Sequence, residues 1–192
     1  METTVIASKQ IILSTQAKGG SGKTAVSTFI AGENQTAQIA DFDTFCRSIS
    51  TILPFRNPMI FSLHNKNGIY DKSRILQFFQ EVEQSTLDYF ICDLSSRDSC
   101  EIPFYLPAND GVIMEYLKLA DIQLCFAVVI AGGNMFTSCL EYLKSIHKTY
   151  KGGSIILAYK NLFFEFSNNQ SLALSRFCED NSILLKHLPV LN

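Results

Sequence analysis

The chain has no surplus of positive charge: 16 Lys and Arg stand against 18 Asp and Glu in 192 residues, a net charge of −2. That balance excludes a histone-like binder coated in cations, so any contact with nucleic acid has to come from a local patch. Paired cysteines are missing as well. Cys46, Cys92, Cys100, Cys125, Cys139 and Cys178 are scattered without C-x-x-C or histidine-rich spacing, and the natural reading is reduced thiols in a cytoplasmic protein. Long hydrophobic runs are absent too. The longest, Leu124 to Ala131, falls far short of the roughly 20 residues that span a bilayer, and Met1 to Gln10 lacks the apolar core of a secretory leader. The expectation is a soluble, cytoplasmic chain with no membrane partner. Internal repeats, low-complexity tracts and separating linkers are also lacking, so residues 1 to 192 are expected to form one domain with a substantial core.

What is present is an alternation of strand-length apolar runs with helix-period segments. Gln10 to Thr15 reads as a strand, followed by a glycine loop and a helix from Lys23 to about Gly32. Thr36 to Ala40 and Tyr89 to Cys92 are further strand candidates, each running into an aspartate. Between Asp71 and Gln84, Ile75, Phe78, Phe79 and Val82 recur at i, i+3, i+4, i+7, one face of an amphipathic helix. Ile122 to Ala131 is apolar almost throughout, as a strand covered on both faces should be. Gly132-Gly133 breaks it, and a helix to about Tyr150 follows. Ser154 to Tyr159 and Ile183 to Leu188 read as strands with a helix near Leu172 to Cys178 between them. Leu53 to Gly68 reads as an irregular connection. The pattern predicts an α/β fold, a mostly parallel twisted sheet with helices on both faces.

Lys18-Gly19-Gly20-Ser21-Gly22-Lys23-Thr24 follows the first strand and opens the first helix. It fits the logic of a phosphate loop, G-x-x-x-x-G-K-[ST], with Ala17 in place of the first glycine. The glycines let the backbone curl so that successive N–H groups face phosphate oxygens, and the helix aims its positive end at the same anion. Lys23 supplies a point charge to the β- and γ-phosphates, and the Thr24 hydroxyl is placed to ligate Mg²⁺. From average usage, three glycines, a lysine and a threonine so placed arise by chance roughly once per million positions, so a plain glycine turn is set aside. Asp93, closing its hydrophobic strand, has the position of the carboxylate that holds Mg²⁺, usually through water. Asp41-Phe42-Asp43 ends another strand; taken alone, an aspartate pair there is as common in plain turns.

With Lys18 ahead of Gly19-Gly20-Ser21-Gly22-Lys23-Thr24, the segment resembles the ParA/MinD family of deviant Walker A ATPases, P-loop proteins of the SIMIBI type whose loop reads K-G-G-x-G-K-[ST]. The resemblance implies an ATP-dependent homodimer in which Lys18 reaches across to the partner's phosphates. It also implies that Ala25 belongs with the cofactor-binding residues, that Asp43 orients the attacking water, and that Asp41 stands behind Thr24 and Asp93 around the metal. Asn161 and Pro189 fall roughly where the family contacts adenine, with Tyr159 standing at the expected strand end. The family usually continues Thr-Pro-Pro after the metal aspartate, where this chain has Leu94-Ser95-Ser96-Arg97, and Pro-Gln after the D-x-D, where it has Thr44-Phe45. The Lys23-to-Asp43 interval is about one helical turn shorter than usual, which implies a short first helix.

By that resemblance the chain is a slow ATPase switch of the ParA/MipZ type for plasmid partition, plasmid maintenance or cellular positioning, stimulated by an adaptor protein. The alternatives are a MinD-like membrane-associated role and a nucleotide-binding switch with little hydrolysis. Lys144, His147, Lys148 and Lys151 recur at helical spacing, and this basic stripe is either a nonspecific DNA patch or an ordinary solvated helix end.

Overall fold

A computed structural model describes residues 9–65, 67, 69–71, 73–108, 111–151 and 153–189 of the chain. Met1 to Ser8, which carry most of the leader reading, and Gly68 of the irregular connection lie outside the described residues.

Lys9–Thr15 (β1), Gln38–Asp41 (β2), Met59–Ile60 (β3), Tyr89–Asp93 (β4), Ile122–Ile130 (β5), Ile155–Asn161 (β6) and Leu184–Leu188 (β7) form a seven-stranded sheet. Its order is β3-β2-β4-β1-β5-β6-β7, and every neighbouring pair is parallel. The helices are Lys23–Glu33 (α1), Ser48–Ile52 (α2), Ser73–Gln84 (α3), Ser96–Tyr105 (α4), Val112–Leu119 (α5), Phe136–Tyr150 (α6) and Asn168–Asp180 (α7). The predicted parallel α/β sheet is therefore what the chain forms.

Its two faces are covered unequally. Side chains alternate along β1, so Ile11 and Leu13 face one layer and Ile12 the other. The first layer is thick, built from α3 to α7, with Phe78, Phe126, Leu143 and Leu174 buried in it. The second is thin: Val26, Ile30 and Ala31 of α1 and Ile49 of α2 pack on Ile12, Ile39, Ile91 and Ala127. Parallel strands end on a common edge. There the chain leaves β1 between neighbours β4 and β5, and the sheet opens a crevice for a ligand.

The connection from Leu53 has more structure than its sequence suggested. Pro54–Arg56 make a 3₁₀ turn, and β3 follows at the edge of the sheet. The Arg56 guanidinium donates to the carbonyls of Ala31, Asn34 and Ala37, which ties this segment to the end of α1. Phe42, Phe61 and Phe78 meet with centroids 5.1 to 5.4 Å apart. Burying such rings contributes about 1.5–3 kcal/mol each, and this packing fixes the backbone between Asp41 and Asp43.

Candidate nucleotide-binding site

β1 delivers the loop 16–22 to the crevice, and α1 starts at Lys23 with Gly22 as its N-cap. Gly22 holds φ +100°, and a Cβ there would collide with the Asn161 amide. Only glycine meets both demands without strain. The Lys23 side chain is 9% exposed; its Nζ donates to Gln16 O at 3.1 Å and Ser96 Oγ at 2.9 Å. Both acceptors are neutral. Burial lowers the Lys23 pKa, opposed by the nearby charges of Asp93 and Asp43.

Asp93, the last residue of β4, is 1% exposed and accepts from Thr24 Oγ1 at 2.8 Å and Ser27 Oγ at 2.9 Å. Burial pushes its carboxyl up to about 6, against the two hydroxyl bonds and Lys23, which favour the charge. The Asp93–Thr24 contact places a carboxylate and a hydroxyl where one cation can touch both. A buried ammonium with only neutral partners, a buried carboxylate beside it and the unpartnered, buried Ser21 Oγ fit an Mg²⁺-bound polyphosphate.

The remaining expected residues are distributed as follows. Lys18, Gly19 and Gly20 are exposed at the rim, and Ala25 sits in the first turn of α1. Asp41 ends β2 in register with Asp93 and raises the Asp93 pKa. Its own oxygens accept from Asp43 N–H at 3.1 Å and from the Ser50 N–H and hydroxyl at 3.1 and 2.6 Å. The carboxylate thus also shapes the loop that carries Asp43. Asp43 is half-exposed, and its Oδ1 accepts from Cys46 N–H at 3.1 Å.

Asn161 is the last residue of β6, so the strand runs two residues past Tyr159, which is 1% exposed in the core. Asn161 Nδ2 donates to Ser21 O at 2.8 Å, and its Oδ1 accepts from Phe163 N–H at 3.1 Å. It clamps the phosphate loop. Pro189 borders an apolar cleft of about 480 Å³ together with Ala25, Phe29, Phe163 and Leu188, beginning beside the first turn of α1.

Several site residues escaped the sequence reading. Ser27 and Gln16 carry no motif. The serines of α4 announce themselves only through Ser95-x-x-Asp98, a helix-start signature: Ser95 Oγ accepts from Asp98 N–H at 3.0 Å and donates to its carboxylate at 2.6 Å.

The parallel sheet and the loop that follows β1 make the α/β fold of a P-loop NTPase. No family model and no curated protein matches the chain. Solved structures do. Chloroplast FtsY from Physcomitrella patens superposes with TM-score 0.57 at 13% identity, covering 93% of this chain and 57% of that one. The signal recognition particle receptor FtsY from Elizabethkingia anophelis gives 0.59 at 12%, covering 96% and 62%. The signal recognition particle 54 kDa protein from Aeropyrum pernix K1, in complex with GDP, gives 0.55 at 7%, covering 94% and 42%. The chain spans three fifths or less of the length of most of these, and at such identities the likeness is one of fold.

Proposed function

We propose that the chain is a nucleoside-triphosphate switch that binds Mg²⁺·ATP, hydrolyses it slowly and closes as a homodimer across the nucleotide, in the manner of the ParA/MipZ proteins its loop resembles. The observation that carries this reading is the buried Asp93 carboxylate bonded to Thr24 and Ser27 beside the buried Lys23 ammonium. Thr24 and Asp93 hold the metal, with Asp41 behind them, and Mg²⁺ supplies charge neutralisation between the phosphates when bound. Gly19 to Gly22 wrap the phosphates, Lys23 compensates their charge, and Asp43 orients the attacking water. Lys18 completes the partner's site, and an adaptor protein stimulates turnover.

The base enters the cleft beside Ala25, against Phe29, Phe163 and Pro189. Guanine presents adjacent N–H donors on one edge that favour a carboxylate partner. Along the cleft the acidic residue is Glu33, eight positions after Ala25 and therefore about 12 Å down the helix. Adenine needs no such partner, which supports ATP. A guanine nucleotide is the second reading, favoured by the GDP-bound neighbour.

Nonspecific DNA is proposed as a partner. The stripe Lys144, Lys148 and Lys151 is exposed near the C-terminal end of α6, at the pole of the sheet away from the phosphate loop. Lys144 also pairs with Glu141 at 2.8 Å, an exposed contact of small energetic weight.

Titration with fluorescent ATP and GTP in Mg²⁺ tests the nucleotide reading. Wild-type protein is expected to bind ATP more tightly than GTP, and Lys23→Ala to lose at least 100-fold in affinity. Unchanged affinity in that variant would sink the assignment.

A further inference from the structure

One buried tyrosine of α6 stands at the entrance to the phosphate loop. Tyr142 is 7% exposed; its hydroxyl donates to Ser99 O at 2.7 Å and meets Thr15 Oγ1 at 2.5 Å. Thr15 is the last residue of β1, so the loop begins one residue after it. A carbonyl only accepts, so the single phenolic proton goes to Ser99 O, and the proton of the second bond is Thr15's. Burial pushes the Tyr142 phenol up, and the Thr15 bond opposes that shift, as a donor to this oxygen would. Tyr142 therefore keeps its proton near neutral pH, and both bonds keep their sense.

The next residue is tied as well. Gln16 N–H donates to Ser99 Oγ at 3.3 Å, Gln16 Nε2 donates to Val129 O at 2.8 Å, and Gln16 O accepts from Lys23 Nζ at 3.1 Å. Thr15, Gln16 and Ser99 are fully buried, so water does not replace a bond lost among them. The far end of the loop is held separately, by Asn161 on Ser21 O.

We infer that Tyr142 is a positioning residue for the phosphate loop, fixing through Thr15 the point at which the loop leaves β1; the inference rests on the nucleotide-binding reading above. Its second bond braces the tyrosine against α4. Ser99 O is open to it because Pro103, four residues on, has no N–H to offer that carbonyl. Donors that stand in place before a ligand arrives cost no ordering when it binds. With its entrance released, the loop has to be ordered by the nucleotide itself, and affinity falls. The loop is common to every nucleotide, so diphosphate and triphosphate lose alike.

Two substitutions separate the bonds. Thr15→Val keeps the shape of the side chain and removes its hydroxyl, leaving the Tyr142–Ser99 bond intact. Tyr142→Phe keeps the ring, which meets Phe104 edge-on with centroids 6.2 Å apart, and removes both bonds. The Kd values for ATP and ADP with Mg²⁺, measured on the full chain, are expected to rise about tenfold in each variant, the loss of one buried hydrogen bond. The double variant is expected to lose no more, because both substitutions remove the same bond. Pro103→Ala gives Ser99 O an N–H partner. Added to Tyr142→Phe, it is expected to raise the melting temperature yet leave affinity low, since Thr15 still lacks its partner. Backbone hydrogen exchange of residues 16–22 without nucleotide is expected to quicken in Thr15→Val. Affinity within a factor of two of wild type in Thr15→Val, or affinity that returns with Pro103→Ala, would make Tyr142 a support of α4 alone and overturn the inference. Wild-type protein that binds neither nucleotide would overturn the nucleotide reading itself; exchange of residues 16–22 would then decide the tether, which unaltered rates would overturn.

Discussion

Burial pushes the Asp93 carboxyl up to about 6, while the hydroxyls of Thr24 and Ser27 stabilise its charge. Burial wins because two neutral donors replace only part of the hydration that a carboxylate loses. The consequence for stability has a definite sign. Below the ordinary value of 3.8 the group is protonated whether the chain is folded or not, and nothing is lost. Between that value and about 6 the unfolded chain ionises while the folded one resists, so stability falls as pH rises. Above about 6 the full penalty applies, on the order of 3 kcal/mol. Asp93→Asn removes the charge. In thermal melts of nucleotide-free protein the variant is expected to be the more stable at pH 7.5, with the difference vanishing toward pH 4. It should also lose Mg²⁺-dependent nucleotide binding. A variant melting below wild type at pH 7.5 would show that the hydroxyls, and not burial, govern this carboxylate.

The phosphate loop keeps its shape because a second element holds it: β6 ends at Asn161, whose amide spans from Ser21 O to Phe163 N–H. Asn161→Ala leaves the buried Ser21 carbonyl without its donor, a loss of about 1–3 kcal/mol. Nucleotide affinity is expected to fall more than tenfold, with far-ultraviolet circular dichroism unchanged; unaltered affinity would show that Gly22 and its neighbours hold the loop unaided. The sequence located this asparagine but not its bond to Ser21, since pairing through space leaves no local pattern. Elements with strong periodicity were legible. The i, i+3, i+4, i+7 stripe of α3 became a buried face with Ile75, Phe78, Phe79 and Val82, and β5 is buried throughout except at Ile122's neighbour Gln123. α4 was not legible, for a reason its structure supplies. Pro103 lies inside the helix and lacks the N–H that would bond Ser99 O, four residues back. That carbonyl accepts instead from the Tyr142 hydroxyl at 2.7 Å, and the same hydroxyl meets Thr15 Oγ1 at 2.5 Å. A side chain from α6 makes up the bond that the proline removes, so a tertiary contact decides the local structure. β3, two residues long, is likewise made by its pairing with β2.

Across the whole molecule the motif-bearing segments converge on one edge because parallel strands end together. Loop 16–22 after β1, the Asp41 and Asp93 carboxylates closing β2 and β4, and Asn161 closing β6 are brought to one crevice by topology alone. That convergence was the part of the site most readable in advance, whereas the apolar cleft, assembled from α1 and the loops after β6 and β7, was not. Lys18 differs from every other expected ligand. Lys23 is drawn into the loop, but Lys18 is exposed, and among the described residues its side chain makes no hydrogen bond or ion pair; only its backbone N–H is engaged, with Gln16 Oε1 at 3.4 Å. A cation at the rim of the loop is a plain solvated charge, serves a nucleotide bound in its own loop, or serves one presented by a second copy. The last two differ in stoichiometry. If Lys18 acts in its own site, Lys18→Ala weakens ATP binding and leaves the mass of the nucleotide complex unchanged. If it acts across an interface, the variant binds ATP within a few-fold of wild type yet stays a monomer by light scattering under conditions where wild type with ATP doubles its mass. The second outcome is expected, because the charges of two triphosphates facing each other repel unless a cation from each side stands between them. A dimer that survives Lys18→Ala would remove this lysine from the interface.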